Sequence, residues 1–426
     1  MVFLVSGILA CSSGGSETRG KPTAAPSAVP TVMDSALRPH VVADAGASPA
    51  RHAHTFVDDP AVVEALARGG ASLDAMVAPA WIGSIERTLG RQIDAIARTD
   101  KNAGVGIRGN SHRLFNQRWL RDGHFELIGL TYRSERIPVD GRRCGDVRLV
   151  YRLAYRTEVS GERVHSRLPM TLLVELKAAE RDATGCATEA ARWTSEDKLE
   201  GAQLAAHLLQ GPLQGRLSPA HVSQVLINAQ IVRWPSSVRP NLGGHAEYSL
   251  LAFEPESGGA GLQVKRLENM PSIREIKKNT QLRDELLEWV GANLDRIDEG
   301  TAILPDRFLA TEATSVTPRG LSRLANRPFR QLFRSEEFAG LNLASYSRIT
   351  SPEALLRRLD DLSCVGCHQS RTIAGFHWLG VDSAEVAPGN GLFVSRSVPL
   401  QGDARRRSEQ TLVLASGGTP SFSRPF

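Results

Sequence analysis

The sequence lacks the signatures of several large enzyme classes. It contains no GxSxG, HExxH or P-loop motif, so an α/β-hydrolase, a zincin protease and a P-loop NTPase are not predicted. No second long apolar run follows the one at the N-terminus, so the body of the chain is not predicted to cross a membrane. Only seven of the 51 basic residues are lysine. We interpret the excess of arginine as genome composition and predict no nucleic-acid partner.

A glycine-rich stretch, GVGIRGN, matches the dinucleotide-binding pattern GxGxxG only weakly. Its glycines are Gly104, Gly106 and Gly109, and the pattern requires a strand before it and a helix after it. Apolar residues recur at intervals of three and four from about residue 80 to residue 98, which predicts a helix before the glycines instead. We therefore predict a plain glycine loop.

The N-terminus predicts export. Residues 1–11 form an apolar run that ends in a small residue and Cys11, as in the signal peptide of a bacterial lipoprotein that is lipidated on that cysteine. No lysine or arginine precedes the run, and a buried N-terminal strand is the alternative. Residues 12–54 are rich in Ser, Gly, Pro and Ala and are predicted to be a disordered tether. The sequence thus predicts an exported, lipid-anchored protein of the periplasm or the outer membrane of a bacterium.

The five cysteines divide into one lipidation site and two pairs. Free thiols are unusual in an oxidising compartment. Cys144 stands before one segment of strand character and Cys186 after the next one. A hairpin that turns near residues 160–163 would return the two to the same end of the ribbon, so a disulfide between them is predicted. Cys364 and Cys367 are left for one shared role.

The apolar patterns predict an α+β fold. Residues 55–270 contain several segments with the period-two alternation of strands, which predicts a largely antiparallel β-sheet domain with flanking helices. A helical insertion is predicted at 186–220. Residues 271–426 are predicted to be mainly helical.

One predicted strand carries a stripe of arginines. In DVRLVYRLAYRT, apolar residues alternate with Arg148, Arg152 and Arg156, so the arginines share one face. A solvated face of the sheet is the simpler interpretation. An anion site, for a carboxylate or a haem propionate, is the alternative.

The motif with the clearest chemistry is CVGCH at residues 364–368. Ser351 is a good N-cap and Pro352 fits the first turn of a helix, so a helix is predicted to run directly into Cys364. Two thiols three residues apart can both add to the vinyl groups of one haem, and the adjacent His368 can then bind the iron.

This segment resembles the first helix and the haem-binding motif of a c-type cytochrome domain. The resemblance implies one haem c, with Cys364 and Cys367 as covalent anchors and His368 as an axial iron ligand. For the second axial position, the common monohaem fold uses a downstream methionine, yet this chain has none after Met270. His377, Met270 and an iron without a second protein ligand are the alternatives.

Other segments extend the resemblance without adding an activity. CGDVRLVYRLAY, SRLPMTLLVEL and SCVGCHQSRTIAGFH together resemble a group of uncharacterised bacterial exported lipoproteins with a single C-terminal CxxCH. Electron transfer to a redox partner protein is the function that the haem motif implies. If the chain is an enzyme, a haem-dependent oxidoreductase is predicted.

Non-haem interpretations of the motif remain open. Zinc needs about four ligands, so the three residues of the motif would have to recruit His377 or another residue. A thioredoxin-like dithiol is disfavoured because it begins a helix, whereas this motif follows one. A local disulfide between Cys364 and Cys367 would fit a surface or binding lipoprotein.

Three further histidines have neighbours that could give them a functional role. His52 and His54 fall in the predicted tether, where a pair spaced by two is interpreted as incidental. His124 lies two residues from Asp122, close enough for an acid and base pair, but no other sequence feature singles these two residues out. No hydrolase is predicted.

Overall fold

The computed structural model describes most of the chain beyond residue 50, namely residues 51–105, 112–159, 161–183, 185–234, 245–316, 326–368 and 398–424. The chain from Pro49 onward forms one unit. Its fold is α+β, as predicted, with helices around a large antiparallel sheet. Of the three glycines in the predicted loop, Gly106 and Gly109 lie outside the described residues. Gly104 ends a short strand.

Ten strands of the described residues make up the main sheet, in the order β11-β10-β9-β7-β6-β5-β2, with β12 beside β10 and β4 joining β3 to β9. All neighbours are antiparallel except β3 and β4, and β1 pairs with β8 in a separate ribbon. The strands are β1 His52–Ala53, β2 Phe56–Val57, β3 Ala103–Gly104, β4 His112–Leu114, β5 His124–Arg133, β6 Asp146–Val159, β7 Glu162–Lys177, β8 Thr194–Ser195, β9 Val222–Trp234, β10 His245–Pro255, β11 Leu262–Lys265 and β12 Glu312–Val316.

The helices flank the sheet and form a second cluster after β11. Three of them confirm sequence signals, since the predicted helix at 80–98 is α3 and the predicted insertion contains α6 and α7. The helices are α1 Pro60–Leu66, α2 Leu73–Met76, α3 Pro79–Thr99, α4 Trp119–Asp122, α5 Ile137–Asp140, α6 Ala187–Ala191, α7 Gly201–Gln210, α8 Ile273–Lys278, α9 Thr280–Ala292, α10 Leu294–Glu299, α11 Pro328–Leu332, α12 Pro352–Leu362 and α13 Val398–Ala415.

The main hydrophobic core lies on one face of the sheet. Leu149, Tyr151 and Leu153 alternate along β6 and are fully buried there, as period-two alternation requires. Helices α1, α2, α3 and α7 cover them with apolar side chains such as Trp81 and Leu208. The strand pattern in the sequence therefore identified the core face correctly.

The opposite face of the sheet is covered as well, in part by α13. Leu400 of α13 packs on Val150 and Leu173 in a small apolar cluster. Farther along the sheet, on the same face, Leu250 of β10 packs with Val365. The face that sequence analysis interpreted as solvated therefore lies largely inside the protein.

The arginine stripe is paired with carboxylates, which corrects its interpretation as a solvated face. Arg148 binds the carboxylate of Glu175, and the guanidinium groups of Arg152 and Arg156 lie 3.0 and 2.8 Å from the two carboxylate oxygens of Glu126. A buried arginine requires a partner of opposite charge because desolvation is costly. The neighbouring strands β5 and β7 supply those partners.

Beneath α13, buried charges continue across this face. Arg133 Nη1 lies 2.8 Å from Glu175 Oε1. Arg407 of α13 lies 2.8 Å from Glu135 and 2.7 Å from Asp403. These five side chains are almost completely buried. Asp403 belongs to α13 itself, so the ion pair between Arg407 and Glu135 is the one of these that holds α13 to the segment directly after β5, in addition to apolar contacts.

A second hydrophobic core lies among the helices that follow the sheet strands. It contains apolar side chains of α8 to α12, among them Leu286, Phe329 and Leu355. The predicted boundary of the mainly helical region, residue 271, lies just before α8 in the sequence. However, β12 and α13 of the same region return to the sheet. The sheet and the helical cluster are therefore interleaved along the chain.

The structure pairs Cys144 with Cys186 in a disulfide, with the two Cα atoms 5.2 Å apart. Strands β6 and β7 form the hairpin between them, with Val159 paired to Glu162 where the two strands meet. Both cysteines are buried beside Leu414 of α13. The bond thus ties the open end of the hairpin to the segment that carries α6.

The folded part of the chain begins before the predicted end of the tether at residue 54. His52 and Ala53 pair with Ser195 and Thr194 of β8. His54 is buried, and its Nε2 lies 2.6 Å from Ser195 Oγ. A two-residue strand has too few residues to show a periodic pattern, so the sequence predicts a tether where the structure has β1.

Candidate functional site

Helix α12 carries the chain into the CVGCH motif, as the sequence predicted. The hydroxyl of Ser351 accepts a hydrogen bond from the backbone N–H of Ala354 at 3.2 Å and caps the helix. The apolar side of the helix packs into the second core. The helix ends at Leu362, and Cys364–His368 follow as a single 3₁₀ turn. The second core therefore fixes the position of the motif.

Gly366, the residue before the second cysteine, is packed against the end of α12. A Cβ at this position would lie 2.5 Å from the carbonyl oxygen of Asp360 and 2.8 Å from that of Asp361. The backbone N–H of Gly366 donates to the carbonyl oxygen of Ser363 at 2.9 Å. Because both obstacles are backbone atoms, a larger residue can be accommodated only if the turn moves.

We expect Gly366→Ala to lower the free energy of unfolding by about 1–3 kcal/mol, the usual cost of overpacking, and to displace the motif from the end of α12. Urea unfolding followed by circular dichroism measures the change. Gly340→Ala is the matched control, since a Cβ there meets nothing within 4 Å, and it should change stability by no more than about 0.5 kcal/mol. Equal effects of the two substitutions would contradict the packing argument.

Cys364 lies at the boundary between solvent and an apolar cluster. Its Sγ donates a hydrogen bond to the backbone carbonyl of Glu268 at 3.2 Å. Cys364 packs on a cluster that includes Leu267, Met270 and the fully buried Val365. The side chain is half-buried, so one side of the sulfur faces apolar groups while the other remains accessible.

The carboxylate next to this cluster, that of Glu268, is paired with an arginine. Glu268 Oε1 accepts a hydrogen bond from Arg136 Nη1 at 2.7 Å. Burial acts to raise the pKa of Glu268, but the guanidinium groups of Arg136 and Arg133 outweigh it and lower that pKa. Glu268 therefore stays ionised beside the backbone carbonyl that holds Cys364.

The structure brings only some of the sequence-predicted site residues together. Met270 is buried in the same cluster as Cys364. Cys367 and His368 belong to the turn, but their side chains are outside what the structure describes, as are His377 and Cys11. Of the candidate axial ligands, Met270 is thus the one with a described position.

No protein family, no curated protein and no solved structure matches this chain. The proposal for its function accordingly rests on the site itself. Within the described ranges, none of the helices combines the length and the apolar composition that a membrane span requires.

A second group of candidate ligand side chains, which no sequence motif marks, lies on the sheet. Among the described residues, one group of three or more His, Cys, Asp and Glu side chains has ligand atoms close enough to hold a metal ion, namely His124, Glu126 and His165. In the sequence, His124 is notable only for its proximity to Asp122. The two-residue spacing of His124 and Glu126 is the signal that the sequence contains, since on a strand such as β5 it puts both side chains on one face. His165 enters only through the pairing of β6 with β7.

Proposed function

We propose that the chain is an exported protein that carries one covalently attached haem c at Cys364, Cys367 and His368 and transfers electrons to a redox partner protein. The observation that carries the proposal is the 3₁₀ turn of the CVGCH motif at the end of α12, with Cys364 beside an apolar cluster. A helix that runs directly into CxxCH is the arrangement of c-type cytochromes, which the sequence resembles.

The described surroundings of Cys364 fit such a group. Haem is largely apolar, and the Cys364 sulfur lies at the edge of a cluster of Leu267, Met270 and Val365 while remaining partly accessible. Cys364 and Cys367 would hold the haem through thioether bonds, and His368 would hold the iron. When bound, the group supplies one-electron redox chemistry. The chain contributes the apolar wall and the fixed turn.

Met270 is the second axial ligand that the described contacts favour. It shares the apolar cluster with Cys364 and is almost completely buried, although 94 positions separate the two in the sequence. A thioether ligand raises the potential of a haem relative to a second imidazole. His377 and an iron without a second protein ligand are the competing arrangements.

The compartment proposed for the chain agrees with its cysteine chemistry. The disulfide between Cys144 and Cys186 is typical of an oxidising environment, and covalent haem attachment in bacteria takes place there. Lipidation of Cys11 would anchor the exported protein to a membrane, in the periplasm or at the outer membrane. The proposed partners are therefore a membrane, through the N-terminal lipid, and a redox protein.

Coexpression of the exported chain with a cytochrome c maturation system tests the proposal. We expect the purified and denatured protein to retain one haem, measured by its pyridine haemochrome spectrum and by the intact mass. Single substitution of Cys364 or Cys367 by alanine should shift the haemochrome maximum because one thioether bond is lost, and the double substitution should abolish retention. Haem-free wild-type protein with a 364–367 disulfide, or with zinc at the motif, would overturn the proposal.

The same preparation identifies the second axial ligand. Met270→Leu should remove the absorption band of a methionine-ligated ferric haem, whereas Met170→Leu, a buried methionine of the main core, should leave it unchanged. A spectrum altered by His377→Ala and unaffected by Met270→Leu would assign the position to His377 instead.

A further inference from the structure

A second group of metal-ligating side chains lies on the sheet, apart from the proposed haem segment. His124 and Glu126 come from the start of β5. His165 comes from the start of β7, which forms a hairpin with β6. Their ligand atoms all lie within 4.8 Å of one another. We refer to these three residues as the β5–β7 triad.

The triad is organised around one oxygen of Glu126. His124 Nε2 lies 3.0 Å and His165 Nε2 lies 2.9 Å from Glu126 Oε1. Arg156 Nη2 donates to the same oxygen at 2.8 Å, whereas Arg152 Nη2 donates to Oε2 at 3.0 Å. Two imidazoles and one cationic group therefore converge on a single carboxylate oxygen.

We propose that the β5–β7 triad binds a divalent first-row transition metal, with Zn²⁺ as the reference ion, in a site with an open position. Two imidazole nitrogens and one carboxylate oxygen are a ligand set that such metals accept. No step of the proposed haem function uses these residues, so the two proposals stand independently.

The observed spacing is close to that of a metal site. Bonds of 2.0–2.1 Å in a tetrahedral zinc site place neighbouring ligand atoms about 3.3 Å apart. The triad has separations of 2.9 and 3.0 Å between each imidazole Nε2 and Glu126 Oε1, so a shift of a few tenths of an ångström would admit the ion. Both imidazole rings would be neutral and would present Nε2 to the ion.

The two arginines have different roles in this arrangement. Arg152 is 8% exposed and fixed on Glu126 Oε2, the oxygen that the metal would leave free, so it orients the carboxylate from outside the coordination sphere. Arg156 is 68% exposed and occupies the cation position on Oε1. An exposed arginine moves into solvent at little cost, so the metal would replace Arg156.

The exposure of the three ligand side chains shows how an ion would reach the site. Glu126 is only 14% exposed. His124 is 38% exposed, whereas His165 is only 10% exposed, so the site opens to solvent on the side of His124.

The sheet holds the triad more firmly than a loop would. Glu126 pairs with Arg152 across β5 and β6, and Arg156 pairs with His165 across β6 and β7. Cross-strand neighbours on one face lie within side-chain reach of each other, and ligands on strands are positioned more precisely than ligands on loops. The ladder therefore brings residues 39 positions apart in the sequence to one carboxylate oxygen.

Zinc titration of the full chain, by calorimetry and by the visible spectrum of the Co²⁺-loaded protein, tests the site. We expect one ion at the triad, with His124→Ala and His165→Ala each lowering its affinity at least ~100-fold. Arg156→Gln should raise the affinity about fivefold because it removes a competing positive charge. A structural role alone predicts no such gain.

Two control variants separate this site from others. His112→Ala removes a histidine that pairs with a single carboxylate, Asp100, at 2.6 Å, and it should leave zinc affinity unchanged. Cys364→Ala/Cys367→Ala removes the motif thiols and should also leave it unchanged. Zinc binding that persists in His124→Ala, or that disappears with the cysteines, would overturn the proposal, as would loss of affinity in Arg156→Gln. Because His124 is partly exposed, its variant decides the matter even if His165→Ala fails to fold.

Discussion

The double variant Cys144→Ala/Cys186→Ala is expected to lose about 4 kcal/mol of unfolding free energy. The disulfide closes a loop between residues 42 positions apart, and a cross-link of this length restricts the unfolded chain by about that amount. Both cysteines are buried, and they pack on Ala190 and Leu414, so removal of the sulfurs also leaves a small cavity. Both must be replaced together, because a single substitution would leave a reactive thiol in the core.

Chemical unfolding in guanidinium chloride measures the loss. Wild-type protein treated with a reductant under denaturing conditions is the natural comparison, and after refolding it should unfold at nearly the same midpoint as the double variant. A loss below about 1 kcal/mol would mean that the hairpin and α6 hold each other without the bond.

Replacement of Glu175 by alanine is expected to cost about 3–5 kcal/mol. The carboxylate is almost fully buried on β7 and pairs with Arg133 and Arg148. Removal of the acid would take this partner from both guanidinium groups, although Arg133 would keep Glu135 and Asp146 at 3.3 and 3.4 Å. The penalty of a buried charge that has lost its partner exceeds the net value of the pair. Urea unfolding of the variant measures the effect.

An exposed ion pair supplies the control for Glu175. Glu64 and Arg68 pair along a helix with side chains 69% and 67% exposed, and exposed pairs contribute about 0–1 kcal/mol. Glu64→Ala should therefore remain close to the wild type. If the two substitutions cost the same, the charges beneath α13 would have to be solvated in the folded protein.

Lowering the pH should reduce the difference in unfolding free energy between the wild type and Glu175→Gln. Burial acts to raise the pKa of Glu175, but Arg148 and Arg133 outweigh it and lower the pKa from 4.5 to about 2. A carboxyl whose pKa falls on folding stabilises the folded state above its unfolded pKa and loses that contribution as the pH drops through the folded value. The stability gap should thus be full above about pH 4.5 and shrink toward pH 2.

Local patterns in the sequence predicted those parts of the fold that depend on neighbouring residues. The N-cap Ser351 and the proline after it set the start of α12, and alternation along β6 identified the core face. The disulfide followed from the hairpin between Cys144 and Cys186. Each of these signals lies within one or two adjacent elements, where periodicity and turn chemistry act directly.

The opposite face of the sheet could not be predicted from the same patterns. Strand β5 shifts register between Leu127 and Gly129, so alternation changes parity there and no single period describes the strand. The partners of the arginine stripe come from β5 and β7, and α13 arrives from nearly 250 residues later along the chain to cover β6. A charge that is buried by such remote segments looks like a solvated charge in the sequence.

The two candidate sites differ in the same way. The CVGCH motif is contiguous, so it can be recognised in the sequence. The contact of Met270 with its surroundings is seen only in the packing of the structure. The β5–β7 triad has no motif at all, since Glu126 and His165 meet through strand pairing. Sites that are built across a sheet need the register before their chemistry can be recognised.

The docking of α13 has a consequence for the order in which the protein folds. Thr55 Oγ1 lies 3.0 Å from Ser408 Oγ across 353 positions of sequence, and Arg407 donates to Thr131 across 276 positions. Contacts between such distant segments form late, because the entropy of closing the intervening loop opposes them. Until α13 docks, the arginines and carboxylates of that face stay hydrated.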